Sequence, residues 1–204
     1  PQKNKISFMG KPMMGWTIES AIKSKIFDRI ILSTDNEDFA DIGISYGLEV
    51  PFLRKEKNDD ISTVSEATIT AVKQAEAHYK EQYDVVVQLM ANTPLRNASQ
   101  ILDHYHQFID NKRNFQISAF KFGWMNPWWS AKIDDLGTPN WMFPEWINKR
   151  SQDLPKLYCP TGAIWIAQKN KLIKANSFYG QGFKFCEIDW KSAVDIDDYE
   201  DLEF

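Results

Sequence analysis

A chain of 204 residues is long enough to form one domain with a substantial core, and a hydrophobic fraction of 43% is ordinary for a globular protein. The net charge of -4 argues against a general nucleic-acid-binding protein, which would usually present a basic face, so an anionic substrate would need a local basic pocket. No apolar run approaches membrane-spanning length, no signal peptide is visible, and Cys159 and Cys186 show no metal-ligand spacing. We therefore expect a cytoplasmic protein with no membrane or nucleic-acid partner.

Helical and strand patterns alternate along the first half of the chain. Apolar residues recur at helical spacing over 16–25, 37–46, 65–79 and 99–109, and short apolar runs predict strands over 29–33, 48–53 and 84–90. The run within 84–90 is the clearest central strand, of the kind that is covered on both faces. Repeated βα units imply an α/β fold with a doubly wound, mainly parallel sheet, whose ligands bind beyond the carboxyl ends of the strands.

This alternation breaks after a predicted strand over 116–120. Residues 121–158 are rich in aromatic residues and proline and show no helical period. We interpret them as an inserted hairpin arm whose aromatic side chains pack on a neighbouring subunit or on the arm itself; the alternative is a lid over a sugar ring. Strand patterns resume over 161–167 and 183–188, so we expect one domain over 1–204 with an inserted dimerisation arm.

Residues 193–198, predicted to form a strand, place two carboxylates, Asp195 and Asp197, two positions apart after an apolar run. In a strand, side chains at i and i+2 point to the same face, so the pair would form a hard-oxygen site suited to Mg²⁺. Mg²⁺ held by carboxylates and substrate phosphates is common in phosphoryl and nucleotidyl chemistry. A solvated turn or a helix N-cap is the alternative for such a segment.

Other polar segments each have a functional and a structural interpretation. Arg54 ends a predicted strand and is suited to a phosphate or ribose, or is simply a surface arginine. The turn over 93–96 follows the central strand, where a ligand would lie, or only leads into the next helix. Residues 60–63 form a ligand loop or an ordinary N-cap, and residues 150–155 place a basic residue among hydrogen-bonding groups.

Several short segments, taken in chain order, form one recognisable pattern. They are Lys3-Asn4, Gly10-Lys11-Pro12, 27–35, 49–54, 93–96, 150–155, 160–164 and 194–197. Together they closely resemble the acylneuraminate cytidylyltransferase family, and the resemblance runs through nearly the whole chain.

The resemblance implies a nucleotide-diphospho-sugar transferase-like fold, and the inserted arm leads us to expect a homodimer. It also implies a reaction in which CTP and a nine-carbon 2-keto sugar acid give a CMP-sugar and pyrophosphate, with Mg²⁺ as cofactor. Asp195 and Asp197 match the metal-binding and catalytic carboxylates. The residues that match nucleotide contacts are Lys3, Asn4, Arg54, Ser62 and Thr63.

For the sugar, the resemblance implies a contact with Thr93 and a cation for the sugar carboxylate. Arg150 is the first candidate, because its planar fork pairs with a carboxylate in two hydrogen bonds, and Lys156 is the second. Either residue could instead brace the dimer.

Three features depart from the family's pattern. Family members open with a strand and an Arg/Gly/Ser/Lys-rich loop that cradles the triphosphate and ends in Lys-Asn; only 1–4 match it, so we expect the N-terminal strand and phosphate loop to be missing. Met90 stands where many relatives have Gln, and Cys159 where some have Arg, which makes pseudaminic or legionaminic acid a candidate sugar in place of N-acetylneuraminate. The alternatives are a 3-deoxy-manno-octulosonate cytidylyltransferase and a catalytically silent member that serves as a binding or assembly module.

Overall fold

The computed structural model of the chain describes residues 3–54 and 63–204. Within these ranges the strands are β1 (Ser7–Phe8), β2 (Lys11–Pro12), β3 (Val85–Gln88), β4 (Phe115–Lys121), β5 (Ala131–Ile133), β6 (Pro139–Trp141), β7 (Tyr158–Gln168) and β8 (Lys184–Glu187). The helices are α1 (Met13–Ser24), α2 (Glu37–Ser45), α3 (Val64–Tyr79), α4 (Ala98–Asp110), α5 (Lys169–Ala175) and α6 (Tyr199–Glu203).

The central sheet has the strand order β3-β7-β4-β8. Strand β7 pairs antiparallel with both β3 and β4, and β8 pairs parallel with β4. Three of these four strands therefore run in one direction and β7 runs against them. The chain leaves the sheet at the end of β4, and the inserted arm brings it back to the sheet at that same end. Strand β7 therefore runs antiparallel beside β4. The α/β class predicted from the sequence is confirmed, with a sheet that is mixed rather than mainly parallel in its pairing.

Two predicted strands are reduced to extended segments. Residues 29–33 and 48–53 run parallel to each other through a single bridge between Ile31 and Glu49. The backbone N–H of Arg54 donates to the carbonyl of Thr34 at 2.7 Å and continues this pairing. The segment over 193–198 is also not a strand, so the expectation of a strand beneath the Asp pair is wrong. A segment that is not hydrogen-bonded to a neighbouring strand on each side is aligned by individual side-chain contacts instead.

Helices cover both faces of the sheet, as expected for an α/β fold. Ile69 of α3 and Leu172 of α5 pack with Ile117 on one face, whereas Ile101 and Phe108 of α4 pack on the other. The sequence patterns located α3 and α4 to within one residue at each end. No helix among the described residues has the length and apolar character needed to cross a membrane.

An apolar cavity of about 220 Å³ lies between α1, α3 and β3. Its lining includes Ile30 and Leu32 from the extended segment and Val86 and Leu89 at and after β3. Among the described residues, β3 pairs with β7 on one edge, and no strand pairs with its other edge. Within the described ranges the sheet therefore ends at β3, and the apolar cavity lies beside that edge.

Residues 122–157, between the end of β4 and the start of β7, form a hairpin of β5 and β6 with three short 3₁₀ helices. The ring of Trp128 packs against Phe143 and Trp146 at centroid distances of 5.0 and 5.2 Å, which gives the arm a small aromatic cluster of its own. Other large apolar side chains of the arm are exposed, among them Trp124 at 77% and Leu136 at 92%. The arm thus buries part of its apolar surface in its own aromatic cluster, and the rest of that surface is exposed.

Candidate active site

The carboxylates of Asp195 and Asp197 flank a buried isoleucine. Ile196 is only 3% exposed and points into the protein, whereas the side chain of Asp197 is 68% exposed and that of Asp195 is half-buried. An extended backbone places alternate side chains on opposite sides, so the two carboxylates share the side away from Ile196. The predicted juxtaposition of the pair is therefore present without a regular strand.

The turn that follows β3 holds both carboxylates. The Thr93 hydroxyl donates to Asp195 Oδ1 at 3.0 Å, and the Asn92 side-chain amide donates to Asp197 Oδ1 at 3.0 Å. Between these two contacts, the backbone N–H of Ile196 donates to the carbonyl of Asn92 at 2.9 Å. Three hydrogen bonds thus align the acidic segment with the carboxyl end of β3.

The acidic pair is electrostatically strained. Burial raises the pKa of Asp195, and the negative charge of Asp197 raises it further, against the opposing hydrogen bond from Thr93. The only ammonium group in contact with the pair, among the described residues, is that of Lys3, which binds Asp197 Oδ1. A divalent cation would relieve the repulsion between two carboxylates that a single exposed lysine only partly balances.

Arg96 lies buried beneath the turn. It is 1% exposed, and its guanidinium donates to the carbonyl of Ala163 at 2.5 Å and to the Thr17 hydroxyl at 2.7 Å. A longer contact of 3.4 Å reaches the carbonyl of Met90. Burial lowers the pKa of Arg96 to about 9, and the charge of Asp195 opposes that shift. The side chain ties α1, the turn and β7 together under the acidic pair.

A second cavity, of about 420 Å³, opens beside the turn. Its lining includes Asn4, Arg54 and Asn92, and Asn92 also binds Asp197. Four buried polar atoms that have no hydrogen-bond partner within the described parts of the chain belong to lining residues: Asn4 Oδ1, Ser33 Oγ, Arg54 Nε and Gln88 Oε1. Buried polar atoms without partners are costly in a finished interior, so this set is typical of a site that a polar ligand completes.

Arg54 is the main cation of that cavity. Its side chain is 19% exposed, and among the described residues its nearest carboxylate is Asp35, at a distance of 3.9 Å from Nη2 to Oδ1. A contact of this length is too long for a good hydrogen bond, and Arg54 Nε has no partner within residues 3–54 and 63–204, so the guanidinium can donate to a ligand.

Some predicted site residues lie elsewhere. Thr63 is the N-cap of α3, where its hydroxyl accepts from the backbone N–H of Glu66 at 3.2 Å, so the ordinary N-cap interpretation applies to it. Ser62 lies outside the described residues. Thr93, expected to touch the sugar, is fully buried and donates to Asp195 instead.

The two cations proposed for the sugar carboxylate are also not brought to the cavity. Arg150 is 72% exposed on the arm, and its fork binds Asp153 through contacts of 2.7 and 3.2 Å. Lys156 is exposed on the same segment. Neither residue lines the cavity or contacts the acidic pair within the described ranges. Exposed, long side chains on an insertion cannot be placed from sequence spacing alone.

Four residues of the site were not singled out as ligands from the sequence: Ser33, Gln88, Asn92 and Arg96. Gln88 did carry a signal, since a polar residue in an apolar strand is costly unless it has a partner. Asn92 and Arg96 follow that strand at its carboxyl end, where ligands of α/β proteins lie. The burial of Arg96 depends on contacts with α1 and β7, which are distant in sequence.

The donor set fits Mg²⁺ only if a substrate completes it. No cluster of three or more His, Cys, Asp or Glu side chains suited to a metal ion occurs in the described residues. Asp195 and Asp197 nevertheless supply two hard oxygen ligands on one side of the chain. Mg²⁺ is commonly held by one or two carboxylates together with substrate phosphates and water, so a pair of this kind suffices.

Comparison with known proteins shows which family this chain belongs to. A family model described as "Cytidylyltransferase" matches residues 1–123. The pseudaminic acid cytidylyltransferase of Campylobacter jejuni is 32% identical over all of this chain and 88% of its own length. The N-acylneuraminate cytidylyltransferase of Escherichia coli is 27% identical over 98% of this chain and 46% of its own length.

Among solved structures, CMP:2-keto-3-deoxy-manno-octonic acid synthetase complexed with CTP matches 92% of this chain and 83% of its own chain with a TM-score of 0.64. At 10% identity this match supports the shared fold alone. The match to the family model and the 32% identity over the full chain support membership of the family as well as the fold. The chain therefore belongs to the acylneuraminate cytidylyltransferase family of CTP-dependent nucleotidyltransferases.

Proposed function

We propose that this chain transfers CMP from CTP to the anomeric hydroxyl of a nine-carbon 2-keto sugar acid and releases pyrophosphate. The observation that carries the proposal is the connection, through Asn92, between the acidic pair and a cavity whose lining includes polar atoms with no partner in the parts of the chain that the structure describes. A triphosphate bound there would bring its phosphates toward Asp195 and Asp197, and its nucleoside toward the polar lining.

The nucleotide site that we propose consists of Asn4, Arg54 and Lys3. Arg54 is suited to a phosphate or ribose oxygen because its planar fork offers several donors and is always charged near neutral pH. The amide of Asn4 faces the same cavity, and its oxygen, which has no partner within the described ranges, is suited to a donor on the base or sugar. Lys3 would move from Asp197 to a phosphate oxygen as the acidic pair acquires its cation.

The reaction is a substitution at the α-phosphorus. The anomeric oxygen of the sugar forms a bond to the α-phosphorus, the bond from phosphorus to the departing pyrophosphate breaks, and the hydroxyl proton passes to solvent. We propose that Asp195 and Asp197 hold Mg²⁺, which would neutralise charge on the phosphoryl and leaving oxygens and lower the pKa of the attacking hydroxyl. The chain's own contribution is to fix these carboxylates in a turn and to orient the triphosphate beside them.

Within this class, a pseudaminic acid-type sugar is the substrate we propose. The relative from C. jejuni that is 32% identical carries that name. Met90, which follows β3, also packs closely on Gly162, where an added Cβ would come within 2.2 Å of its sulfur. A methionine offers no hydrogen-bond donor, so this side of the site suits a less hydroxylated or differently acylated group than N-acetylneuraminate presents.

The experiment that tests the function is pyrophosphate release with CTP, Mg²⁺ and a panel of sugar acids: pseudaminic, legionaminic, N-acetylneuraminic and 3-deoxy-manno-octulosonic acids. Turnover is expected with CTP and a nine-carbon acid, with pseudaminic acid preferred. Preference for the eight-carbon acid would favour the octulosonate alternative. No turnover with any acid, in a folded protein that binds CTP, would favour the silent alternative.

We further propose that the arm joins two copies of the chain. Four of its exposed apolar side chains, Trp124, Met125, Ile133 and Leu136, are 64–92% exposed. Clusters of exposed aromatic and aliphatic residues are typical of surfaces that a partner covers. A homodimer would also bring Arg150 or Lys156 of one copy toward the other, where either is suited to the sugar carboxylate.

One more strand is proposed to complete the sheet beside β3. Two observations support this proposal: no strand in the described part of the chain pairs with this edge of β3, and an apolar cavity of about 220 Å³ lies beside it. The strand that the family resemblance implies ahead of Lys3 supports it too. A version of the chain with an apolar strand and a Gly/Ser/Lys loop ahead of Pro1 should melt at a higher temperature and bind CTP more tightly. An unchanged melting temperature would contradict the proposal.

A further inference from the structure

The acidic pair depends on the turn after β3 for its geometry. Asp195 and Asp197 lie in a segment that is not a strand, so no sheet ladder fixes their direction. Asn92 and Thr93 replace that ladder, each with one side-chain donor directed to one carboxylate at 3.0 Å. Because the backbone of Asn92 also accepts from Ile196, the turn and the acidic segment are joined at three successive positions.

The turn after β3 is held in place by the buried side chain of Arg96. Arg96 contacts the carbonyls of Ala163 and Met90 and the hydroxyl of Thr17, and all of these groups lie within the protein. The Thr17 hydroxyl lies 3.3 Å from the carbonyl of Met90, so two side chains converge on the start of the turn. A guanidinium that is 1% exposed has a fixed position, because its donors cannot exchange a carbonyl for water.

We infer that Thr93 and Asn92 are positioning residues for the acidic pair, kept in register by the buried Arg96. This inference rests on the proposed function of Asp195 and Asp197 as metal ligands. Thr93, at 0% exposure, and Arg96, at 1%, are not open to a substrate, so Thr93 acts through the Asp195 carboxylate and Arg96 through the turn. Hydrogen bonds to ligating carboxylates orient them, and loss of such a partner commonly lowers metal affinity by about 10- to 100-fold.

Thr93→Val tests the inference most cleanly, because valine keeps the shape of threonine and removes only the hydroxyl donor. Mn²⁺ replaces Mg²⁺ as a spectroscopic probe, and its binding in the presence of CTP is measured by electron paramagnetic resonance. Thr93→Val is expected to weaken Mn²⁺ binding by about 10- to 100-fold. Thr93→Ser, which restores the hydroxyl, should bring the affinity back to within about threefold of the unsubstituted chain.

Ser65→Ala is the matched control. It also removes a buried hydroxyl, one that accepts from the backbone N–H of Phe178 at 3.2 Å and has no carboxylate partner among residues 3–54 and 63–204. It should lower the melting temperature without changing Mn²⁺ affinity. Arg96→Lys is the second variant: it keeps a positive charge but loses the fork, so Mn²⁺ affinity should fall if the chain folds, and circular dichroism reports whether it does.

The outcomes separate this inference from the function on which it rests. Unchanged Mn²⁺ affinity in a folded Thr93→Val chain, with the unsubstituted chain active, would overturn the positioning role alone. An unsubstituted chain that binds no Mn²⁺ in the presence of CTP would overturn the metal assignment and this inference together. Equal losses in Thr93→Val and Ser65→Ala would mean that the effect is one of stability, and would also overturn it.

Discussion

The side-chain amide of Asn92 donates a hydrogen bond to Asp197 Oδ1 at 3.0 Å, although 105 positions separate the two residues. Asn92 also lines the polar cavity, so one side chain belongs both to the acidic pair and to the space beside it. The contact explains how two carboxylates near the end of the chain come to the carboxyl end of β3. At that end of a strand, ligands of α/β proteins bind.

Asp197→Asn tests the metal assignment. The variant keeps the size of the side chain and can keep the contact with Asn92 through its amide oxygen, but it lacks a charge for a divalent cation. We expect turnover of CTP to fall by at least about 100-fold, the loss that follows removal of one group that stabilises transition-state charge. The rate of pyrophosphate release, measured over a range of Mg²⁺ concentrations, tests this expectation.

Glu203→Gln is the control for Asp197→Asn, because Glu203 is an exposed carboxylate in α6 with no part in the acidic pair. Its activity and Mg²⁺ dependence should match those of the unsubstituted chain. Undiminished turnover in Asp197→Asn would refute the metal assignment.

Arg54→Gln tests the nucleotide site. The side chain of Arg54 lines the cavity, and its Nε has no partner in the described parts of the chain, so its loss should act on CTP binding rather than on folding. Hydrogen bonds to charged groups contribute about 1.5–3 kcal/mol, so we expect the KM for CTP to rise by about 10- to 150-fold. The same variant should leave the KM for the sugar acid within about threefold of its original value.

The control for Arg54→Gln is Asp35→Asn, which removes a carboxylate that lies 3.9 Å from the guanidinium of Arg54. If the arginine serves the nucleotide, the loss of this weak pair changes the KM for CTP little. An equal rise in both variants would show that the local ion pair accounts for the effect, and an unchanged KM in Arg54→Gln would show that the guanidinium does not contact the nucleotide.

Sequence patterns located the regular elements well and the site only in part. The helical spacing over 65–79 and 99–109 and the apolar run at 84–90 all correspond to elements, because local periodicity alone sets which face of each is buried. Asp195 and Asp197 were found for the same reason, since their spacing of two places them on one side of any extended backbone. The contacts of Asn92, Thr93 and Arg96 were not predictable, because they join segments that become neighbours only when the sheet forms.

Glu76 and Lys169 give a prediction about stability and pH. Lys169 Nζ donates to Glu76 Oε1 at 2.6 Å, and the side chain of Lys169 is 9% exposed and that of Glu76 is 14% exposed, so the pair is largely removed from water. Burial by itself would raise the pKa of Glu76. The hydrogen bonds from Lys169 and from the backbone N–H of Tyr83 outweigh burial, and they hold the pKa below its ordinary value.

Glu76→Gln leaves the buried ammonium of Lys169 without its counter-charge, so we expect the free energy of unfolding to fall by about 3 kcal/mol near neutral pH. A carboxylate with a lowered folded-state pKa contributes its full stabilisation above its unfolded-state pKa of about 4.3 and loses it as the pH falls through the lower value. The difference between the two chains should therefore shrink below about pH 4. Urea unfolding at several pH values measures it.

Asp38→Asn breaks an exposed ion pair, Lys5–Asp38, and serves as the comparison for Glu76→Gln. Its cost should stay within about 0.5–1 kcal/mol, as for other surface pairs. A Glu76→Gln chain as stable as the unsubstituted one at neutral pH would mean that the buried pair contributes no net stability.

Leu136→Asp tests the arm as a dimer surface. Leu136 is 92% exposed at the tip of the hairpin, where an added charge costs the isolated chain little but would be desolvated in an apolar interface. We expect sedimentation equilibrium to show a dimer for the unsubstituted chain and a dissociation constant at least about 100-fold weaker for Leu136→Asp. Ile44→Asp is the control, since Ile44 is 57% exposed on α2 and lies outside the arm. Equal weakening in both variants, or a monomeric unsubstituted chain, would contradict the assignment of the arm. If turnover falls together with dimerisation in Leu136→Asp alone, residues of one copy complete the sugar site of the other.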